Sequence, residues 1–549
     1  MSSSDLQRQL IAFLESPASY PHRPAEVCAI QTHISCVFIA SPFVFKVKKP
    51  VNLGFLDFST LEKRRHFCQR EIELNRRLCP EIYLETVPIY ETDSGFSFKP
   101  RGDLVEYAVK MKELPHGWFL NELLEKNLVG ENELNRVISV LHRFYRAETP
   151  TPEIEQWGTP EKLKISTDEN FTQVEPFIGK TISSAGFEAI RHYTNQFYAL
   201  NENLFRERIH QQRILDCHGD LHLDHVHLTP EATTIFDCIE FNDRFRFIDV
   251  ANDLAFLAMD FDFESRSDLG NLLLRNAARQ LGDAGMLKIA NFYKCYRAFV
   301  RGKVESIQAR EKETTNPQEH EKRAARYFRL ALRYAIAGSE PLVLVVMGRV
   351  ATGKSTIAKQ LASKLDWPVF SSDEIRKTLA GVPLAQRTPP EIRAKIYSSQ
   401  MTRRTYTRLL EDGFAAIGGC SRGRRPRLLQ LHNGVLLDAT FSTHALRKFL
   451  RDECKKANVP FQFVELEVDP SEIKKRLKSR DEKTAEASDA RIEDFEKLNA
   501  AYQPPSELAP DLIRISATRS VSDPVKAILL HLAEKQSIVV NYVGPVEPG

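Results

Sequence analysis

The sequence predicts two domains of different class. An α+β domain, with a small β-rich part ahead of a larger helical part, precedes an α/β domain built on a parallel, doubly wound sheet. Three observations carry this reading. The apolar run LVLVVMG (342–348) leads directly into GRVATGKST and a helical pattern. From there to residue 516, apolar strands alternate with helices, the signature of a parallel sheet whose crossovers are helical. Ahead of residue 308 the order differs: β-rich runs come early, and helical periodicity then dominates, interrupted by a few short strands around HGDLHLDHVHL (218–228).

Composition sets the bounds. At roughly 100–200 residues per domain, 549 residues make two to four domains. The apolar fraction of 42% and charged fraction of 27% are those of an ordinary globular protein. A net charge of +3 excludes a chain that binds polyanions through its overall charge. The nine cysteines form no C-x-x-C pair, so reduced thiols are expected. No run reaches the ~18–20 apolar residues that span a bilayer, so no membrane association is expected. Together these point to a cytoplasmic location. The seam lies in the charged, polar stretch that ends in GSEP. The expected domains are 1–307 and 340–535, joined by a helical linker over 308–339 and followed by a tail over 536–549.

In the first domain, IQTHISCVFIASPFVFKVKKP (30–50) reads as a β-hairpin turning near Ala-Ser-Pro. A helix follows through STLEKRRHFCQREIELNRRL, and EYAVKMKEL (106–114) is a further strand. Residues 118–210 are mostly helical, with short strands near 214–217, 226–228 and 233–237.

The histidine-rich segment admits two chemistries. His218, His222 and His225, with Asp220 and Asp224, have spacings that zinc accepts. Side chains of an extended segment alternate between two sides, however, so these five groups and His227 are not all expected to converge. The second chemistry is phosphoryl transfer. HGDLH has the pattern of a kinase catalytic loop, in which Asp220 accepts a hydroxyl proton and a metal ligand follows at position 225. TTIFDCIEF supplies Asp237 at a strand end. FVFKVKK supplies a strand lysine, and the next helix carries Glu71 and Glu73.

On HGDLH, IFDCIEF and DVANDLAFL, residues 30–300 resemble the aminoglycoside phosphotransferase-like family, which has the protein-kinase-like fold. The resemblance implies an ATP site with Asp220 as catalytic base, Asp237 as Mg²⁺ ligand and Lys46 as phosphate anchor. Lys48 is the alternative anchor on the same strand face, and Glu71 the preferred partner. It implies that Asp249 and Asp253 brace the helical part and that His218 shapes the loop. Two departures stand out. His225 occupies the position where the family has Asn; imidazole suits Mg²⁺ poorly, so Mn²⁺ or lost catalysis is an alternative. The loop over the nucleotide, THISCVFIASP, is not glycine-rich.

The second domain opens on LVLVVMG, a β-branched run of the kind buried on both sheet faces. Gly348, Gly353, Lys354, Ser355 and Thr356 complete the pattern G-x-x-x-x-G-K-[ST] between that strand and a helix. Loop and helix N–H groups cradle phosphate there, Lys354 reaches the β/γ-phosphates and Ser355 offers its hydroxyl to Mg²⁺. PVFSS (368–372) is a short strand that leads to Asp373. That carboxylate can activate an attacking hydroxyl or simply cap a helix. Arg376, one turn on, can hold an anionic acceptor. GVLLDAT (434–440) ends near Asp438, which can hold Mg²⁺ through water. FQFVELEVD (461–469) and DLIRIS (511–516) are the remaining strands. On the helix PSEIKKRLKSR, Arg476 and Arg480 share one face; they can close over phosphates or form a solvated basic surface.

GKST, SSDEIRK, LLDATF and RLKSR together resemble the small P-loop kinases, more narrowly a kinase domain related to polynucleotide 5′-kinases and zeta-type toxin kinases. This implies transfer from ATP to a hydroxyl, with Asp373 as base. The acceptor is expected to be a small molecule or a nucleic-acid 5′ end. An arginine-rich segment over 418–434 departs from that pattern and reads as a solvated loop. The order of the halves resembles a bacterial two-domain architecture that joins a phosphotransferase-like half to a P-loop half. The alternative reading is a first half that senses a ligand and regulates a second-half ATPase.

Overall fold

The computed structural model describes residues 3–539 except 33, 94, 312–313, 315, 385, 419–431, 482–488, 510–511 and 518–521. Arg422, Arg424, Arg425 and Arg427 of the expected basic loop lie outside the described residues. The chain forms two compact units, Met1–Glu169 with Glu202–Arg297, and Asn170–Asn201 with Ala298–Gly549. Among the described residues no helix is long and apolar enough to cross a membrane.

The first unit opens with a six-stranded antiparallel sheet. Its strands are β1 (Cys28–Gln31), β2 (Ser35–Ala40), β3 (Phe43–Lys48), β4 (Tyr83–Thr92), β5 (Gly95–Ser97) and β6 (Asp103–Lys112), ordered β1-β2-β3-β6-β4-β5. β2 and β3 are the expected hairpin, turning at Ser41-Pro42. β4 escapes the sequence pattern because only Tyr83 and Ile89 along it are buried, so its alternation is weak.

Strand alternation sets what each sheet face carries. Phe45 and Val47 of β3 join Leu10, Leu14, Tyr20 and Phe38 in one apolar cluster. Val44, Lys46 and Lys48 point to the other face, where Cys68 and Ile72 of the helix Leu61–Asn75 pack against Tyr83, Val109 and Met111. Two lysines thus share a face with that helix. Thr60 starts the helix by accepting a hydrogen bond from the Lys63 amide at 3.3 Å.

Further along, β7 (Ile214–Asp216), β8 (Val226–Leu228), β9 (Thr233–Ile235) and β10 (Phe247–Asp249) make two short antiparallel pairs, β7–β10 and β8–β9. They enclose the histidine-rich loop. The helix Val250–Phe263 beneath it is buried along its whole length.

The second unit is a five-stranded, all-parallel sheet with helices in the crossovers. β11 (Leu342–Gly348) lies at its centre, flanked by β13 (Gly434–Asp438) and β14 (Phe461–Glu467), with β12 (Val369–Ser371) and β15 (Leu512–Ser516) at the edges. All seven residues of β11 are buried, as its unbroken apolar run requires. Residues 170–201, placed by the sequence in the first domain, group with this unit. The helix Ser184–Leu200 packs on the helices Pro317–Ala337 and Ser522–Ser537. Asn201 Nδ2 also donates to the Ser537 carbonyl at 2.8 Å. Periodicity marks an apolar helix face but not the element that covers it.

Gly348 is required by its backbone. Its φ is +138°, and a β-carbon there would stand 2.7 Å from the Leu466 carbonyl oxygen. Gly348→Ala is therefore expected to destabilise the second unit by about 1–3 kcal/mol, the usual cost of such strain. Thermal unfolding checks this; a midpoint equal to that of the parent would refute the constraint.

Candidate active sites

In the second unit the site forms where β11, β12 and β13 end together. Val346 is in register with Asp438, and Asp438 with Ser371, so three loops leave the sheet's carboxyl edge side by side. Open α/β sheets place ligands at such an edge. The loop after β11 turns through Ala351 (φ 57°) and Gly353 (φ 95°) into the helix Lys354–Leu365. Left-handed residues interleaved in this way fold a loop's N–H groups toward a common centre, and the helix N-terminus adds its dipole. Lys354 Nζ donates across the loop to the Arg349 carbonyl at 2.8 Å. Thr356 is exposed on the first turn.

Ser355 Oγ donates to Asp438 Oδ2 at 2.6 Å. Burial pushes the Asp438 carboxyl above its ordinary range, against the pull of Lys354 and of the Ser355 and Ser371 hydroxyls. Hydroxyl and carboxylate oxygens in contact are a hard-donor pair that fits Mg²⁺.

The other expected residues are placed less uniformly. Asp373 sits in the first turn of the helix Ser372–Ala380, not on a strand end, because β12 stops at Ser371. The N-cap of that helix is Ser371, so Asp373 is not the cap. Arg376 is buried; its Nη1 donates to the Ile396 carbonyl (3.0 Å) and to Thr402 Oγ1 (3.1 Å), and its guanidinium lies over the Tyr397 ring. It ties helices together in this arrangement. Arg476 leans on the phosphate loop, donating to the Thr352 carbonyl (3.3 Å) and the Ala517 carbonyl (3.0 Å). The side chain of Arg480 lies outside the described residues.

In the first unit, three distant segments converge. Glu71, fully buried, holds Lys46 Nζ at 2.9 Å through one carboxylate oxygen and Lys48 Nζ at 2.7 Å through the other. Lys46 also bonds Asp237 Oδ1 at 2.6 Å, whereas Lys48 is paired with Glu240. Lys46 therefore faces the loop and Lys48 is locked beneath it. Burial opposes the charge on Lys46, but Asp237, Glu71 and Glu240 outweigh it and keep the amine protonated. Glu240 was not anticipated, although it stands three residues after Asp237 in the motif already noted.

The histidine-rich loop is braced by main-chain bonds to buried side chains. Asp253 accepts the amides of His218 (3.0 Å) and Gly219 (2.9 Å). Asp249 caps the helix Val250–Phe263 and binds Arg208. Arg297 donates to the Gly219 carbonyl at 2.8 Å. His218 Nδ1 accepts the Asp220 amide (3.2 Å) and Nε2 donates to the Phe236 carbonyl (2.8 Å), which shapes the turn.

His225 bridges the two acidic positions. Its Nδ1 donates to the Asp220 carbonyl at 2.9 Å, and its Nε2 lies 3.5 Å from Asp237 Oδ2. Its partners thus leave the Nε2 lone pair toward Asp237. A ligating histidine that donates its other nitrogen to a carbonyl is the usual arrangement at metal sites. Imidazole nitrogen plus one carboxylate suits Mg²⁺ poorly, because Mg²⁺ prefers oxygen.

Within this segment a subset of the polar groups comes together. Ligand atoms of Asp220, His222 and His225 lie within 4.8 Å of one another. Residues Leu223–His225 form a 3₁₀ turn capped by His222, so the segment is not extended here. At three residues per turn, His222 and His225 eclipse, and their ring centroids are 3.8 Å apart.

Burial, helped by His222, pushes the His225 ring down to about 4, while Asp237 and Asp220 pull the other way. The folded ring therefore stays neutral in a range where an unfolded histidine, near 6.5, takes a proton. Its contribution to stability is present above pH 6.5 and is lost as the pH falls toward 4. His225→Asn is expected to flatten the fall in urea midpoint between pH 7 and pH 5. An equally steep fall in the variant would contradict the assignment.

Comparisons agree with the second unit's architecture. The family model described as an AAA domain matches residues 343–505, which hold β11 to β14 and the phosphate loop. This agrees with a P-loop domain on a parallel sheet. Solved structures similar to this region include a gluconokinase from Sinorhizobium meliloti 1021 (17% identity, 35% of this chain and 92% of that one, TM-score 0.25). A shikimate kinase from Aquifex aeolicus vf5 is also similar (15% identity, 35% and 95%, TM-score 0.22).

Over a longer span, the chain is 31% identical over 423 residues to an uncharacterized protein of Mycobacterium tuberculosis H37Rv, covering 77% of this chain and 80% of the relative. A Mycobacterium bovis protein, also titled uncharacterized, matches to the same extent. The chain belongs to the family of these mycobacterial proteins.

Proposed function

We propose that the chain is an ATP-dependent phosphotransferase with two nucleotide sites, each moving the γ-phosphoryl group to a hydroxyl. The observation that carries the reading is the Ser355–Asp438 hydrogen bond beside Lys354, at the point where a parallel sheet opens onto a phosphate-type loop. In this unit the loop amides and Lys354 hold the β- and γ-phosphates, and Ser355 and Asp438 hold Mg²⁺, which neutralises charge on the transferred group. Arg476 stabilises the charge that develops there, and Asp373 takes the proton of the attacking hydroxyl. Arg376 serves the acceptor, and Arg480, on the helix Pro470–Asp481, serves the phosphates.

The first unit is read as an aminoglycoside phosphotransferase-like kinase of the protein-kinase-like fold. Support comes from Lys46, Glu71 and Asp237 meeting beside the Asp220 loop. Lys46 anchors phosphate, Asp237 and His225 hold the ion, and Asp220 is the base. The acceptors are a small-molecule alcohol and, for the second unit, a small molecule or a nucleic-acid 5′ end. A second reading has a specific basis: His225 stands where an oxygen ligand serves Mg²⁺ best, which suits a first unit that senses ligands and regulates an ATPase in the second.

Transfer of label from γ-labelled ATP into a metabolite and RNA extract separates the readings. Full-length Asp220→Asn and Lys354→Ala chains are compared with the parent. Label in an alcohol phosphate that disappears with one variant assigns that unit as a kinase. Phosphate release without any labelled acceptor would leave only the regulated ATPase.

A further inference from the structure

We propose that Asp220, His222 and His225 form a binding site for one transition-metal ion of the Zn²⁺ or Co²⁺ type, and that filling it excludes ATP chemistry from the first unit. The exclusion rests on the phosphotransferase reading of that unit; the site itself does not.

The donor set is two imidazoles and one carboxylate. Three protein ligands with a position left open is the usual form of an accessible zinc site, and nitrogen donors favour zinc or cobalt over magnesium. His222 Nε2 lies 3.6 Å, and His225 Nδ1 3.7 Å, from Asp220 Oδ2. Ligands about 2.0–2.1 Å from a tetrahedral ion stand roughly 3.3–3.4 Å apart, so both carboxylate-to-ring separations are already within a few tenths of an ångström of that spacing. The His222 and His225 side chains are 8% and 14% exposed and Asp220 is 35% exposed, so the open position falls on the carboxylate side.

Each ring also has a carboxylate behind it. Asp224 Oδ2 is 3.6 Å from His222 Nδ1, and Asp237 Oδ2 is 3.5 Å from His225 Nε2. His222 Nδ1 accepts the Asp224 amide at 3.3 Å and His225 Nδ1 donates to the Asp220 carbonyl at 2.9 Å, so binding through His222 Nε2 and His225 Nδ1 requires both rings to change tautomer; the remaining N–H of each then faces an acid. Carboxylate–histidine–metal relays of this kind orient the ring and raise its basicity.

The exclusion follows from the His225 tautomer. With Nδ1–H on the Asp220 carbonyl, Nε2 is available beside Asp237. With Nδ1 on a metal, Nε2–H is turned onto Asp237 and Asp220 is a ligand. One ring serves one arrangement at a time, so the ion removes both the proposed base and the proposed nucleotide-metal ligand.

The test uses the full chain, stripped by chelator and titrated with Co²⁺ alone. One equivalent is expected to give the intense visible absorption of a low-coordinate N/O site, and Zn²⁺ to displace it. His222→Asn should weaken binding by more than the ~10–100-fold typical of losing an outer partner, and Asp224→Asn by about that 10–100-fold. Ser355→Ala, in the other unit, should leave the spectrum intact. Zn²⁺ should raise the thermal midpoint of the parent but not of His222→Asn, which also reports that the variant folds. A parent spectrum resembling hydrated Co²⁺, or one unchanged by His222→Asn, overturns the site.

The exclusion is read by calorimetry of Mn²⁺–ATP as the first unit's share of the binding, the difference between the Lys354→Ala chain and the same chain carrying Lys46→Ala. Zn²⁺ should abolish that binding; binding unchanged by Zn²⁺ overturns the exclusion. If Lys46→Ala removes no Mn²⁺–ATP binding even without Zn²⁺, the phosphotransferase reading of the first unit falls and takes the exclusion with it. The Co²⁺ titration still decides the site.

Discussion

Lys354→Ala is expected to lower ATP turnover by the second unit by about 10²–10³-fold, the usual loss when one donor to developing charge is removed from a preorganised site. Lys354 opens the helix Lys354–Leu365, and its ammonium already spans the loop to the Arg349 carbonyl. The loop's backbone conformation is set by Gly348, Ala351 and Gly353, so nucleotide should still bind while kcat falls. Lys354→Arg should not rescue, because a planar guanidinium does not replace a compact ammonium in a tight loop. The measurement is best made in an Asp220→Asn background, so that any remaining turnover belongs to this unit. Parent-level turnover there would remove the P-loop assignment of chemistry, whatever the fold.

Asp220→Asn is expected to reduce phosphoryl transfer by the first unit by about 10²–10⁴-fold, the range a positioned general base supplies. The change is isosteric. The loop's shape is held chiefly by main-chain bonds to Asp253, His218 and Arg297, so the thermal midpoint should move little. Lys46, Glu71 and Asp237 remain in place, so the KM for ATP should change far less than kcat. Lys354→Ala serves as the background, with Mg²⁺ and Mn²⁺ compared. Equal kcat with and without the Asp220→Asn substitution would sink the base assignment. A higher rate with Mn²⁺ than with Mg²⁺ is the expected consequence of His225.

The two sites were legible to different degrees. Strand, loop and helix of the second unit are contiguous, so Gly348 to Thr356 could be named with their context from a single window. Arg376 was read one helical turn beyond Asp373, whereas Asp373 was expected at a strand end and lies on the helix itself; the direction of Arg376 into Ile396 and Thr402 depends on a partner helix that sequence spacing does not specify. In the first unit the loop was recognised from HGDLH. The choice between Lys46 and Lys48, two residues apart on one face, turned on Asp237 and Glu240 lying 191 and 192 residues away.

By itself, the sequence determined the order of the two domains, the buried central strand, the phosphate-type loop and the chemical identity of the histidine-rich segment. These are local properties, fixed by periodicity, glycine conformation and side-chain type. Only the tertiary structure decided that 170–201 joins the second unit, that one glutamate bridges two lysines, and that His222 and His225 stack. The physical reason for the last is a single 3₁₀ turn: an extended chain would have sent the two rings to opposite sides, whereas three residues per turn put them over the same carboxylate.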